Sequence, residues 1–176
     1  MTVPFRIREA GSDDNDRLIE LTRRCPIKGQ LDVYSDRHPD FFAMTRQQGE
    51  RSHVYVGESL QGDIVGSAVL VERSEQLDGQ MVKVLHFGDL RIDPSMRRTR
   101  LAAKLIQIYS DRLKSGVYHH GIVEILKSNA ASSRANGLLP SDIEIRNESD
   151  VELYKLLPVW NYPTSPAWTY RQATPS

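Results

Sequence analysis

Phe5 and Ile7 are apolar and Arg6 and Arg8 polar, the period-two alternation of a half-buried strand. The period then lengthens. Leu18, Leu21, Thr22 and Cys25 recur at helical spacing, preceded by Ser12 as a candidate N-cap and by Asp13, Asp14 and Asp16 in the first turn. Arg23 and Arg24 complement the macrodipole and Pro26 stops the run, so a helix is predicted over about 13–25. Residues 27–39 have no clean period and read as loop with some extended character. His38-Pro39-Asp40 predicts a helix start with Pro39 near the first helical position. Phe41, Phe42, Met44, Thr45 and Gln48 suit a short amphipathic helix ending at Gly49.

From residue 52 the period returns to two. Strands are predicted over 53–58, 64–72 and 81–92, separated by turns at Gln61-Gly62-Asp63 and Asp78-Gly79. Such short connections imply an antiparallel meander. On the third strand Val82, Val84, His86, Gly88, Leu90 and Ile92 share one face; Lys83, Leu85, Phe87, Asp89 and Arg91 share the other. Gly88 inside that strand marks a bulge or a close backbone approach, which would exchange the faces beyond it. Pro94 closes the strand. Leu101, Ala102, Leu105, Ile106, Tyr109 and Leu113 then form one helical stripe ending at Gly116, and an apolar strand follows over 122–126. Strand, helix and strand in this span have the size of a βαβ unit with parallel strands and a right-handed crossover. Beyond Asn129 a short helix is expected over 130–135 and a strand or short helix over 151–157. The tail carries Trp160, Tyr162, Trp168 and Tyr170, read as late strands or as a docking surface.

Composition narrows the function classes. The 176 residues are 39% hydrophobic and 26% charged, an ordinary globular balance and enough chain for a sizeable core. Lys+Arg and Asp+Glu both number 23, so net charge points to neither nucleic acid nor an anionic membrane as a partner. No apolar run approaches the roughly 18–20 residues of a membrane span. The N-terminus lacks a secretory core, and the single Cys25 favours a reducing compartment; a cytoplasmic location is expected.

The chemistry-bearing stretch runs from Gly88 to Ala102. It joins a strand end, a tight turn, three arginines (Arg97, Arg98 and Arg100) and a helix N-terminus. Free amides and the positive end of the dipole attract anions there, and arginines add charge-assisted donors suited to phosphate. A diphosphate-bearing ligand is the expected guest. Adjacent His119 and His120 suggest a metal pair, but neighbours on a strand point to opposite faces and no other ligand lies at the required spacing. They are read as loop residues, with no metal. Cys25 is read as a small buried apolar group.

This stretch resembles the signature of GNAT acyltransferases, in which a strand ending in Leu-x-Val is followed by Pro and then Arg/Gln-x-x-Gly-x-Gly/Ala. Leu90 and Ile92 match the strand positions, Pro94 the turn, Arg97 the leading residue and Ala102 the final small one. Element order matches as well, over about residues 5–135. The departure is Arg100, which stands where the family usually has glycine. The resemblance implies an α/β fold: a mixed, bent β-sheet, made of an antiparallel meander plus a βαβ unit, with helices on both faces and one domain over 1–176. It implies acetyl-CoA as acyl donor, held at its pyrophosphate by the amides of Arg97, Arg98, Thr99, Arg100, Leu101 and Ala102. The main chain at Leu90 and Ile92 would pair with the pantetheine arm and polarise the thioester, and Asn129 would contact that arm. It implies direct attack by an amine acceptor, a small molecule or a peptide; a homodimer is one assembly the sequence leaves open.

Acid and base are less determined. The tyrosine that many relatives place seven residues after the asparagine is Asn136 here. Asp89 and Glu124, flanking the expected acyl site, are the candidate bases; Tyr118 and Tyr154 are acid candidates by residue type alone. Against these stand ion pairing of Asp89 with Arg91 or Lys83, and a structural ion pair for Glu124. Two further readings remain: a non-catalytic GNAT-like module that binds CoA or a partner, and an unrelated phosphate-binding α/β domain.

Overall fold

The computed structural model of the chain describes residues 5–27, 35–125, 129, 137–141, 143 and 144. The chain divides into two compact units, Met1–Glu144 and Ile145–Ser176, and every described residue belongs to the first. The expected elements over 130–135 and 151–157, Asn136, Tyr154 and the tail aromatics lie outside the described residues.

Strand β1 (Phe5–Glu9) leads through a 3-10 turn at Ser12–Asp14 into helix α1 (Asn15–Arg24). Helix α2 (Phe41–Gln47) is followed by strands β2 (Arg51–Ser59), β3 (Ile64–Leu77) and β4 (Gln80–Ile92). A second 3-10 turn at Pro94–Met96, helix α3 (Leu101–Leu113) and strand β5 (His120–Val123) complete the order. The five strands form one sheet in chain order. The first three pairings are antiparallel and β4 pairs β5 in parallel, which is the meander and βαβ unit expected from the sequence.

Local details depart from expectation for identifiable reasons. Ser12 does not cap the first helix. Asp14, buried, accepts from the Gly11 amide at 2.9 Å while it also pairs with Arg8 at 2.6 Å and with Arg17. Ser12 instead opens the 3-10 turn, and Asp14 stands at the N-cap position of α1 with its carboxylate turned to the two guanidinium groups and the Gly11 amide rather than to the helix amides. Pro39 precedes α2 rather than opening it, and Asp40 is the N-cap, accepting from Phe42 N at 2.9 Å. Arg6, Arg8 and Arg17 converge on buried Glu58, tying β1 and α1 to β2.

Two apolar cores lie on opposite faces of the sheet. Leu18, Leu21, Cys25 and Phe41 from the helices α1 and α2 and their flanks pack on Val54, Val56, Val69 and Val71. Leu101, Leu105, Ile106 and Tyr109 of α3 pack on Ala68, Leu70, Leu85 and Phe87. The bulge on β4 is present: Ser67 pairs Arg91 and Val69 pairs Gly88, so Asp89 and Leu90 together face Ala68. It exchanges the faces, because Leu90 and Ile92 join Leu85 and Phe87 on the α3 side.

Candidate active site

The bulge is the first component. Asp89 has φ 49°, a left-handed backbone that is uncommon outside glycine. β5 pairs with β4 only from Val84 to Phe87. From Gly88 to Ile92 the edge of β4 that β5 leaves therefore has no strand partner among the described residues. Unpaired backbone donors and acceptors on a strand edge are a template for an extended, amide-bearing ligand.

The second component is the connection from β4 to α3. Asp93 accepts from Ser95 N at 2.9 Å and fixes the 3-10 turn, and buried Met96 anchors it to the α3-side core. Arg98 then takes φ 72°, reversing the chain, before Arg100 caps α3 at φ −82° and ψ 7°. Thr99 stitches the turn from inside: its amide and its hydroxyl both donate to Met96 O, and its Oγ1 accepts from Leu101 N. The amides of Arg98, Arg100, Ala102 and Ala103 have no hydrogen-bond partner among the described residues. Arg97, Arg98 and Arg100 are exposed and form no ion pair among those residues. Four open donors, three uncommitted guanidinium groups and the positive end of a 13-residue helix meet in one place.

The third component lies on the α1–α2 face of β4. Asp89 receives Arg37 Nη2 at 2.9 Å and Arg91 Nε at 2.9 Å, and Arg91 also donates to the Cys25 carbonyl. His86 is buried, and its Nε2 has no hydrogen-bond partner among the described residues. Glu124 Oε2 stands 3.8 Å from that nitrogen on a side chain 74% exposed. Burial, reinforced by the positive charge of Arg73, pushes the His86 imidazole below its usual value, so it is neutral at neutral pH. Cys25 is buried, and desolvation with Asp93 close by raises its thiol, which leaves it protonated and inert.

A family model for the acetyltransferase (GNAT) family matches residues 15–135, which contain all three components. The chain belongs to the GNAT acetyltransferase family. Among solved structures, glucosamine-6-phosphate N-acetyltransferase from Arabidopsis thaliana superposes with TM-score 0.57 at 22% identity, covering 84% of this chain and 99% of that one. An acetyltransferase from Trypanosoma brucei gives TM-score 0.57 at 20% identity, over 83% and 100%. An aminoglycoside acetyltransferase from an uncultured soil metagenomic sample, solved with sisomicin, gives 0.57 at 18%, over 87% and 96%. At these identities the likeness shows the fold alone. No curated protein sequence matches the chain. GNAT acetyltransferases use acetyl-CoA and an amine acceptor.

Within this GNAT fold the predicted residues fall as follows. Leu90 and Ile92 lie on the open stretch of β4, and residues 97–102 form the turn and the first residues of α3. Arg100, the departure from the GNAT pattern, has a backbone that any residue adopts; the left-handed position is Arg98. Asp89 is paired with Arg91, as the plainer sequence reading expected, and with Arg37. β5 ends at Val123 rather than running over 122–126, which leaves Glu124 outside the strand. His120 opens that strand instead of lying in the loop, with its Nδ1 3.1 Å from that of His119. Asn129 is half-buried beyond β5. Burial, with Glu72 close by, raises the Tyr118 hydroxyl above its ordinary value, and Arg112 offsets part of that rise.

His86 and Arg37 were missed. His86 alternates with Val84 like any strand residue, and Arg37 sits in a stretch with no period; a polar residue on the apolar face of β4 was the one available signal. A hollow of about 540 Å³ lies between α1 and the 93–96 turn, lined by Asp16, Glu20, Arg24, Asp93 and Ser95 among others, and so borders the second component from the α1 side. Arg24 there already pairs with Glu20 and Asp93. Among the described residues no group of three or more His, Cys, Asp or Glu is placed to hold a metal ion, and no helix is long and apolar enough to cross a membrane.

Proposed function

We propose that this GNAT protein transfers an acetyl group from acetyl-CoA to the nitrogen of an amine by direct attack. The carrying observation is the convergence of open amides at 98, 100, 102 and 103 with uncommitted Arg97, Arg98 and Arg100 beside an unpaired strand edge. The amides and guanidinium groups would bind the pyrophosphate, and the pantetheine amides would pair with β4 at Leu90 and Ile92. Asn129 would hold the same arm. The thioester carbonyl then lies against the bulge, where backbone N–H groups stabilise the oxygen as it gains charge.

The acceptor arrives as an ammonium ion and attacks as a neutral amine, so a base must take its proton. Both Asp89 oxygens accept from arginines, so Asp89 acts by holding Arg37 and Arg91 in place. Glu124, exposed and beside neutral His86, is the base. The nitrogen lone pair forms the N–C bond, the C–S bond breaks, and the departing thiolate takes up a proton to give free CoA. Cys25, buried, protonated and unpaired, fits a reducing compartment such as the cytoplasm, and a direct mechanism does not need it.

Isothermal titration with acetyl-CoA tests the reading. Arg97 is exposed, so Arg97→Glu leaves the fold intact and weakens binding about tenfold or more through a lost phosphate contact and added repulsion. No binding to the wild type, or equal binding to both, removes the basis of the proposal. Thiol release with a panel of primary amines then separates an enzyme from a CoA-binding module.

A further inference from the structure

The cluster around Asp89 is unbalanced in charge. Arg37 is 8% exposed and Arg91 is 4% exposed, yet among the described residues they share a single carboxylate. Arg91 is partly satisfied: Nε donates to Asp89 and Nη1 to the Cys25 carbonyl, while Nη2, 2.8 Å from Asp89 Oδ1, is buried without a hydrogen-bond partner among the described residues. Arg37 is less so. Nη2 reaches Asp89 at 2.9 Å, while Nε and Nη1 are both buried without a hydrogen-bond partner among those residues. Its guanidinium lies 5.3 Å from the centre of the Phe41 ring, a contact that fixes the plane but supplies no acceptor. Ser67, the register partner of Arg91 on the neighbouring strand, also keeps a buried hydroxyl with no hydrogen-bond partner among the described residues. Two buried cations that share one carboxylate and keep open donors are costly to hold, and the cost falls when a second anion completes the cluster.

The position of this cation decides which molecule brings the anion. Arg37 is held by the bulge residue itself, on the α1–α2 face of the sheet, whereas the cofactor's phosphates are assigned to the far end of the 97–103 turn. We propose that the acceptor is an amine carrying a carboxylate or phosphate group, and that Arg37 binds that anion beside the reacting nitrogen. The inference rests on the acetyl-CoA reading of this site. Arg37 touches substrate in this scheme, and Asp89 and Arg91 position it.

Two measurements made on the full chain in saturating CoA, which fills the turn at 97–103, test the proposal. The first is thermal melting with inorganic phosphate against chloride of equal ionic strength. Phosphate at ten times its Kd is expected to raise the Tm by about 3–6 °C in the wild type, and by less than about 1 °C in Arg37→Gln. The second is acetyl transfer to matched pairs: glucosamine 6-phosphate against glucosamine, and β-alanine against β-alaninamide. At least one anionic member is expected to exceed its neutral partner in kcat/KM by about tenfold or more, a preference that Arg37→Gln abolishes and Arg37→Lys keeps in part. A phosphate response in the first pair alone identifies a phosphate acceptor; a response in the second alone identifies a carboxylate. A CoA-bound protein with no phosphate-specific shift and no preference for either anionic amine overturns the inference while leaving acetyl-CoA binding intact. A gain with succinyl-CoA over acetyl-CoA, without any preference for anionic amines, overturns it by assigning the anion to the donor. Failure of CoA itself to raise the Tm sinks the underlying reading, and this inference with it.

Discussion

Leu101, the first residue of α3, is fully buried over two glycines of adjacent strands. A Cβ at Gly57 of β2 would fall 2.4 Å from Leu101 Cδ1 and 3.0 Å from Cδ2; one at Gly66 of β3 would fall 2.7 Å from Cδ2. Carbon atoms in contact sit at about 3.5–4.0 Å, so Gly57→Ala requires a shift of about 1 Å from a side chain packed on all sides. Overpacking of this kind costs about 1–3 kcal/mol, and lower unfolded-state entropy returns about 0.5–1 kcal/mol. The net expectation is a loss of about 0.5–2 kcal/mol, read in urea melts as a lower midpoint at constant slope. Leu101→Ala removes the clash and leaves a void, at about 2–5 kcal/mol. The decisive variant is the double one. The new methyl then occupies space vacated by Leu101, so Gly57→Ala with Leu101→Ala should be no less stable than Leu101→Ala alone. The two changes should couple favourably by about 0.5–3 kcal/mol. Because Leu101 sets the depth at which α3 begins, Gly57→Ala alone should also weaken acetyl-CoA binding by a few fold. Strictly additive losses, or an unperturbed Gly57→Ala, would refute the idea that the glycine floor seats the helix start.

Acid stability follows from the β1–α1 network. The Arg8 guanidinium, with help from the Gly11 amide, pulls the Asp14 carboxyl down from 3.8 to about 2. A folded value below the unfolded one contributes stability above the unfolded pKa and loses it as pH falls toward the folded one. Asp14 should therefore contribute about 2 kcal/mol at neutral pH, lost progressively from about pH 5 to pH 2. Asp14→Asn should be less stable at pH 7 but flatter across that window, and parallel pH–stability curves would count against it. Glu124→Gln should lower kcat/KM by about 10²-fold, with a stability change within about 0.5 kcal/mol because the side chain is 74% exposed. An unchanged rate would remove Glu124 as the base.

The period of hydrophobicity predicted β1, α1 and the three-strand meander to within a few residues, because one-sided burial stamps a strand or helix repeat onto the chain. Asp78-Gly79 announced its hairpin because the turn needs positive φ at both positions, which are 50° and 82°. The turn proposed to bind the cofactor was legible for the same local reason: its proline, arginines and small residue lie within the short stretch 94–102, and its open donors belong to the backbone. Gly88 warned of a bulge, but which face Asp89 and Arg91 would take depended on the extra residue opposite Ala68. That is a pairing between strands, and no single strand encodes it.

What the sequence by itself determined was the order of elements and the arginine-rich turn between β4 and α3, because each is written in short contiguous stretches of residues. Only the tertiary structure decided that Arg37, from an aperiodic loop, reaches Asp89 across 52 positions, and that His86 is buried beside Glu124. It also decided that Leu101 rests on Gly57 and Gly66. These are long-range contacts whose energy comes from desolvation and close packing. Those quantities depend on which segments exclude water together, and a residue's sequence neighbours carry no record of that.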